Sequence, residues 1–321
     1  MKPILLWSDT LVFLLVITLV LFFYRLRHDP QTRERWSQVF STRLGMVTFT
    51  VILTYVGIAL LDSLHFRKAL DTPAAATGDT GAAAQEVFYN NKVSSVLDVL
   101  LGGMGERFER TYSAPFALLS FEKKNMKDEQ GRAVRDFPPL EHAGQHLADP
   151  ADKWPDVLAR SGTALLWGIL LSALWLAPQW LLLRHSPHPW HASWAVQAVV
   201  LCLGVWAVSI SRYYHILGTD LGGADVLYQS LKGVRTGVLL GTLSTLIMLP
   251  IAVTLGVMAG YFKGWVDDLV QYLYTTLSSI PGILLIAASV LLFQVYIDLN
   301  PDFFSIGMEK ADARFIALCF I

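Results

Sequence analysis

The chain has 321 residues, of which 54% are hydrophobic and only 16% charged, with a net charge of −1. Soluble domains carry about 25% charged residues, so the shortfall argues against a purely water-soluble protein. The near-zero net charge removes any global electrostatic attraction to nucleic acid. The two cysteines, Cys202 and Cys319, both lie in apolar runs without metal-ligand spacing and read as small hydrophobes, with no disulfide framework implied.

Taken in chain order, the first apolar run covers residues 5–24 and is followed by arginines instead of a small-residue cleavage site, which marks a retained anchor. Residues 25–43 hold Arg25, Arg27, Arg33, Arg35 and Arg43 against Asp29 and Glu34, a bias that assigns this loop to the cytoplasm. Further apolar runs cover residues 44–61, 163–183, 192–210, 236–261 and 269–297, and a seventh begins near Arg314. Runs of about 20 apolar residues cross a hydrocarbon core of about 30 Å. The expected fold is therefore an all-α membrane protein, a polytopic helical bundle of six spans plus the start of a seventh. Alternation places Lys263, Asp267 and Asp268 inside, and residues 63–160, 212–235 and 298–313 outside. Trp7, Tyr24, Trp190, Trp194, Tyr213, Tyr214, Tyr261 and Trp265 fall near span ends, as interfacial anchors do.

Residues 63–160 differ in kind and are expected to form a small extracytoplasmic cap. Residues 72–84 are rich in Ala, Thr and Gly and read as a linker. Val93, Val96, Leu97, Leu100, Leu101, Met104 and Phe108 recur at helical steps, which predicts an amphipathic helix capped by Asn90 or Asn91. Glu106, Arg107, Glu109 and Arg110 read as its solvated face, and residues 122–156 as an extended surface loop. The resulting organisation is an N-terminal helix pair at 1–62, the cap at 63–160, an additional helix pair at 161–211, and a core at 212–321.

No phosphate-binding loop or nucleophile elbow is present, so nothing points to an enzyme active site or a cofactor. His185, His188 and His191 lack an acidic or thiol partner and read as part of a short basic turn, with no metal assigned. The apolar runs carry more information. Gly237 with Gly241, and Gly256 with Gly260, form small-x-x-x-small pairs suited to close helix–helix contact. Pro250 interrupts one run, and Ser279-Ile280-Pro281 the next. Paired interruptions at membrane depth mark a candidate pathway. No charge lies deep in a run, which disfavours an ion-coupled relay.

Four motifs in order then carry a resemblance. Leu217-Gly218-Thr219-Asp220 leads through Gly222 and Gly223 to Asp225-Val226-Leu227. Gly233-Val234-Arg235 steps into a helix. Ala259-Gly260-Tyr261-Phe262-Lys263-Gly264-Trp265-Val266-Asp267-Asp268 forms a charged turn, and Ser279-Ile280-Pro281 breaks the run that follows. Over residues 214–295 the chain resembles the integral-membrane permeases of ATP-binding-cassette oligopeptide, dipeptide and nickel importers, with Ala224 where members of that family often have Arg. The resemblance implies a bacterial inner-membrane, multi-pass permease with a second permease subunit, two cytoplasmic ATPase subunits that bind the Mg-ATP, and an extracytoplasmic solute-binding protein. The family's Glu-Ala-Ala ATPase-docking loop is expected beyond residue 321, because the sequence stops inside an apolar run. Two other readings stand beside this one: a membrane-anchored sensor acting through the cap, and a secondary transporter.

Overall fold

A computed structural model describes residues 2–4, 7–69, 89–127, 133–147, 149–186 and 188–300. The linker at 72–84 and the run beginning near Arg314 lie outside them. Nine α-helices are described: α1 (Trp7–His28), α2 (Pro30–Ser41), α3 (Arg43–Ser63), α4 (Val96–Leu100), α5 (Lys153–Leu183), α6 (Trp190–Ile210), α7 (Val226–Phe262), α8 (Trp265–Ser279) and α9 (Gly282–Leu299). Six of them are long and apolar enough to cross a membrane, at Ser8–His28, Arg43–Ser63, Pro150–Leu183, Trp190–Ile210, Val226–Phe262 and Gly282–Leu299. The chain is thus a polytopic all-α membrane protein, as its composition requires.

The chain divides into two compact units. One holds residues 1–5 and 13–235, the other residues 6–12 and 236–321. In the first unit, α5 and α6 pack along their length through small residues. A Cβ on Gly168 would stand 2.9 Å from the Cys202 Cα. Ala164 and Ser172, four residues to either side of Gly168, are buried on the same stripe. Polar side chains add interhelical bonds where lipid offers no hydrophobic drive. Gln197 accepts from the Trp175 indole (2.9 Å) and from Gln179 (3.0 Å), and Thr50 on α3 meets Ser193 on α6 at 2.8 Å.

The short α2 begins at Pro30, whose fixed φ suits a first helical position, with Asp29 accepting the Gln31 N–H. Thr42 then ends α2 and caps α3 by accepting from Gly45. Three strands, β1 (Lys2–Ile4), β2 (His65–Ala69) and β3 (Tyr89–Ser95), form an antiparallel sheet in that order. The strands β4 (Lys124–Lys127) and β5 (Ala133–Asp136) form a separate hairpin.

Several expectations need correction. The amphipathic helix expected over residues 93–108 is much shorter, with α4 covering only Val96–Leu100. Val93 pairs with Arg67 in the sheet, and the helix begins only at Val96. Its cap is Ser95, which forms a reciprocal capping box with Asp98, not Asn90 or Asn91. It ends at Gly102 and Gly103, which adopt the left-handed φ of 62° and 78° that Gly alone takes without strain. Leu97, Leu101 and Met104 are still buried, whereas Phe108 is exposed. Residues 122–156 contain the β4–β5 hairpin and the first turn of α5, so they are not wholly an extended loop. Tyr214 is fully buried and anchors no interface.

In the second unit the run at residues 269–297 is interrupted at Ile280-Pro281, as its sequence indicates, which divides it into α8 and α9. A residue before proline is pushed out of the helical region, and Ile280 accordingly sits at φ −81°, ψ 126°. At about 1.5 Å per residue, the 18 residues of α9 alone reach about 27 Å, close to a full hydrocarbon thickness. Between α7 and α8, Gly264 takes φ 58°, ψ −131°, a conformation open essentially to glycine alone.

Candidate functional site

The residues 211–225 leave α6 and fold back against the segment between α3 and α5 before α7 begins. The turn is tight because two glycines allow backbone to meet backbone. Gly218 has φ 75°, and a Cβ there would stand 2.2 Å from the Ser113 carbonyl oxygen. Gly223 has φ 76°, and its Cβ would stand 1.8 Å from the Glu109 carbonyl oxygen. Glu109 N–H donates to the Gly223 carbonyl at 2.8 Å. The Thr219 hydroxyl donates to the Thr111 carbonyl (2.8 Å) and lies 3.0 Å from the Ser113 hydroxyl. Asp220 closes the turn on itself by accepting the Ala224 N–H (2.8 Å) and the Gln229 side chain (2.6 Å).

Asp225 has two tasks. One carboxylate oxygen accepts the Leu227 and Tyr228 N–H groups at 2.9 and 3.2 Å, capping the start of α7. The other lies 2.7 Å from Nδ1 of His215. On its far side, Nε2 of His215 faces Glu109 at 3.4 Å. Glu109 in turn accepts the N–H groups of Glu141 (2.8 Å) and His142 (2.7 Å). Glu109, His215 and Asp225 are all buried. Burial alone would lower the imidazole, but the bonds to Asp225 and then Glu109 outweigh it and raise His215 to about 9. Burial likewise opposes the Glu109 charge, yet His215 and the two backbone donors hold that carboxyl below its ordinary value. The site is an imidazolium clamped between two carboxylates. Glu109 is therefore not part of a solvated helix face.

A second polar knot lies alongside. Lys232 on α7 reaches Asp62 at the end of α3 (3.3 Å) and Asp98 on α4 (3.1 Å). The Tyr228 hydroxyl donates to Asp98 at 2.9 Å, and the Ser95 hydroxyl to Asp62 at 2.8 Å. A cavity of about 250 Å³ opens beside it, lined in part by Ser94, Gly103, Glu106 and Tyr228. No group of three or more metal-ligating side chains is found among the described residues.

Of the residues singled out in the sequence, Leu217, Gly218, Thr219, Asp220 and Asp225 come together in this turn. Arg235 follows on α7, with Gly237, Gly241, Pro250 and Gly256 beyond it, and α7 runs through Pro250 without ending. Gly260, Tyr261, Gly264 and Asp267 shape the α7–α8 turn, and Ser279 and Pro281 flank the α8–α9 break. Among the described residues, a Cβ on Gly237, Gly241, Gly256 or Gly260 would meet nothing within 4 Å. The sequence reading missed Glu109, Thr111, Ser113 and the pairing of His215. It also missed the Ala164, Gly168 and Ser172 stripe, although the four-residue spacing of small side chains was there to be found.

A stretch of 76 residues is 40% identical to the glutathione transport system permease protein GsiD of Pectobacterium atrosepticum, covering 24% of this chain and 25% of that protein. A stretch of 73 residues is 38% identical to the oligopeptide transport system permease protein OppC of Mycobacterium bovis and of Mycobacterium tuberculosis, covering 23% of this chain and 25% of theirs. The chain thus spans about a quarter of the length of these relatives. No family model matches the chain, and no solved structure matches it. With its six bilayer-length helices, the chain is a multi-pass membrane protein. Over about a quarter of its length the chain is similar to permease components of glutathione and oligopeptide transport systems, in keeping with the resemblance carried by the motifs.

Proposed function

We propose that the chain is a membrane-spanning permease subunit of an ATP-driven importer, forming half of the pathway for peptides or similar small solutes. The observation that carries this reading is the 40% identity to a transport-system permease within a chain holding six bilayer-length helices. The chain would work in a bacterial inner membrane with a second permease subunit, two cytoplasmic ATPase subunits and an extracytoplasmic solute-binding protein. It hydrolyses nothing itself, and Mg-ATP belongs to the ATPases. The turn at residues 217–225 lies on the substrate-intake side. Gly237, Gly241, Gly256 and Gly260 supply the face on which a helix of another subunit packs. Among the described residues no atom lies within 4 Å of a Cβ at any of them, in keeping with that role. Pro250, Ser279 and Pro281 shape the path.

The test is uptake of a labelled oligopeptide by cells carrying the complete transport system. Deleting the gene is expected to abolish uptake, and restoring it to recover ATP-dependent uptake. Gly260→Leu, at a position where an added Cβ meets no described atom within 4 Å, is expected to cut uptake at least about tenfold, a loss of about 1.4 kcal/mol of coupling, with membrane insertion unchanged. Full uptake by that variant contradicts the packing role. Uptake that survives ATP depletion but collapses with the proton gradient contradicts the ATP-driven reading.

A further inference from the structure

The corner between α1 and α3 is basic and built on rings. Arg25, Arg27, Arg33, Arg35 and Arg43 face two acids, Asp29 and Glu34, a net of three positive charges. Aromatic contacts hold α2 against the neighbouring spans. Phe22 of α1 meets Trp36 of α2 at 5.2 Å, Phe40 of α2 meets Phe49 of α3 at 5.1 Å, and Phe23 meets Phe49 at 5.8 Å. Aromatic rings at the ends of spans sit at the boundary between hydrocarbon and headgroups.

Between the last turns of α1 and the first turn of α2 lies a hollow of about 430 Å³, lined by Phe22, Arg25, Leu26, His28, Asp29 and Thr32. Its chemistry is divided, with apolar Phe22 and Leu26 beside the basic Arg25 and His28. Asp29 is engaged in capping α2, accepting from the Thr32 hydroxyl and the Gln31 N–H. The His28 Nδ1 donates to the Tyr24 carbonyl at 2.9 Å, so Nε2 is its remaining nitrogen. Arg25, Arg27 and Arg33 form no ion pair with any described residue.

We propose that this hollow binds the headgroup of an anionic phospholipid, with its phosphate on Arg25 and the start of its acyl chains along Phe22 and Leu26. Two observations select a lipid over a free anion. Phe22 and Leu26 continue the apolar stretch of α1, and Arg25 and His28 lie at the end of that same span. Basic clusters beside a span attract anionic headgroups.

The full chain, purified in non-ionic detergent, is offered phosphatidylglycerol or phosphatidylcholine, and retained lipid is counted by native mass spectrometry. Wild type is expected to prefer phosphatidylglycerol. Arg25→Gln is expected to lower its retention about fivefold, leaving phosphatidylcholine and the lipid-free melting temperature unchanged. Arg25→Lys, which keeps the charge, and Arg184→Gln, at the end of α5, are expected to retain phosphatidylglycerol as wild type does. Equal retention of the two lipids by wild type, or equal phosphatidylglycerol retention by wild type and Arg25→Gln, overturns the proposal. So does displacement of phosphatidylglycerol by equimolar inorganic phosphate, because the site would then take a bare anion.

Discussion

Gly223→Ala is expected to release the turn at residues 217–225 from the segment that holds it, destabilising the first unit by about 3 kcal/mol or more. Two costs act together. A non-glycine residue at φ 76° costs about 1–2 kcal/mol. The added Cβ would also stand 1.8 Å from the Glu109 carbonyl oxygen, which is backbone and cannot rotate away. Relief requires moving the chain at Glu109, and that breaks its N–H bond to Gly223 and pulls its carboxylate from His215. Gly237→Ala is the matched control, since it lies in α7 where an added Cβ meets no described atom within 4 Å. Limited proteolysis and thermal unfolding in detergent read the difference. The first variant should be cut in residues 107–120 at temperatures where wild type and the control resist. Equal stability of the two variants would show that the turn does not need the close approach.

The second large effect concerns the buried charges. Asp225→Ala removes the cap of α7 and one of the two carboxylates that hold the His215 imidazolium. Removing one partner of a buried charge network costs about 3–5 kcal/mol, and losing a helix cap about 1 kcal/mol. The wild-type site also predicts a pH profile. His215 is raised from 6.5 to about 9, so its contribution is complete below about pH 6.5 and is lost as pH climbs through about 9. Glu109 is shifted the other way, and its contribution is lost as pH falls below the ordinary carboxylate range. The melting temperature should therefore hold between those limits and fall on the alkaline side. In Asp225→Ala the alkaline fall should be much smaller, because the main partner that keeps His215 protonated is gone. An unchanged alkaline slope would assign the pH dependence to another group.

The membrane-crossing elements were legible because length and apolarity are properties of a continuous stretch. Residues 44–61 and 192–210 lie within helices α3 and α6, whose ends extend only a few residues further. The longer misses had local causes. The helix α5 begins ten residues before its apolar run, because Asp156 and Arg160, four apart, bond on one face and extend the helix into polar sequence. The helix α7 likewise begins ten residues early, where Asp225 caps it and Lys232 finds Asp62 and Asp98. The clamp itself could not be read locally. His215 and Glu109 lie 106 residues apart, and neither stands in a pattern that names the other. Among the glycines, Gly218 and Gly223 carry the close approaches of the motif turn, and Gly168 carries the close contact of α5 with α6.

The proposed permease role requires α7 to link the turn at residues 217–225 on the outer side of the membrane to the α7–α8 bend on the inner side. Single cysteines placed at Leu221 and at Trp265, both highly exposed, test this in intact cells with a membrane-impermeant maleimide, in a background where Cys202 and Cys319 are replaced by serine. The expected result is labelling of the cysteine at position 221 from outside, and of that at position 265 only after the membrane is opened. Labelling of both from the same side would contradict it.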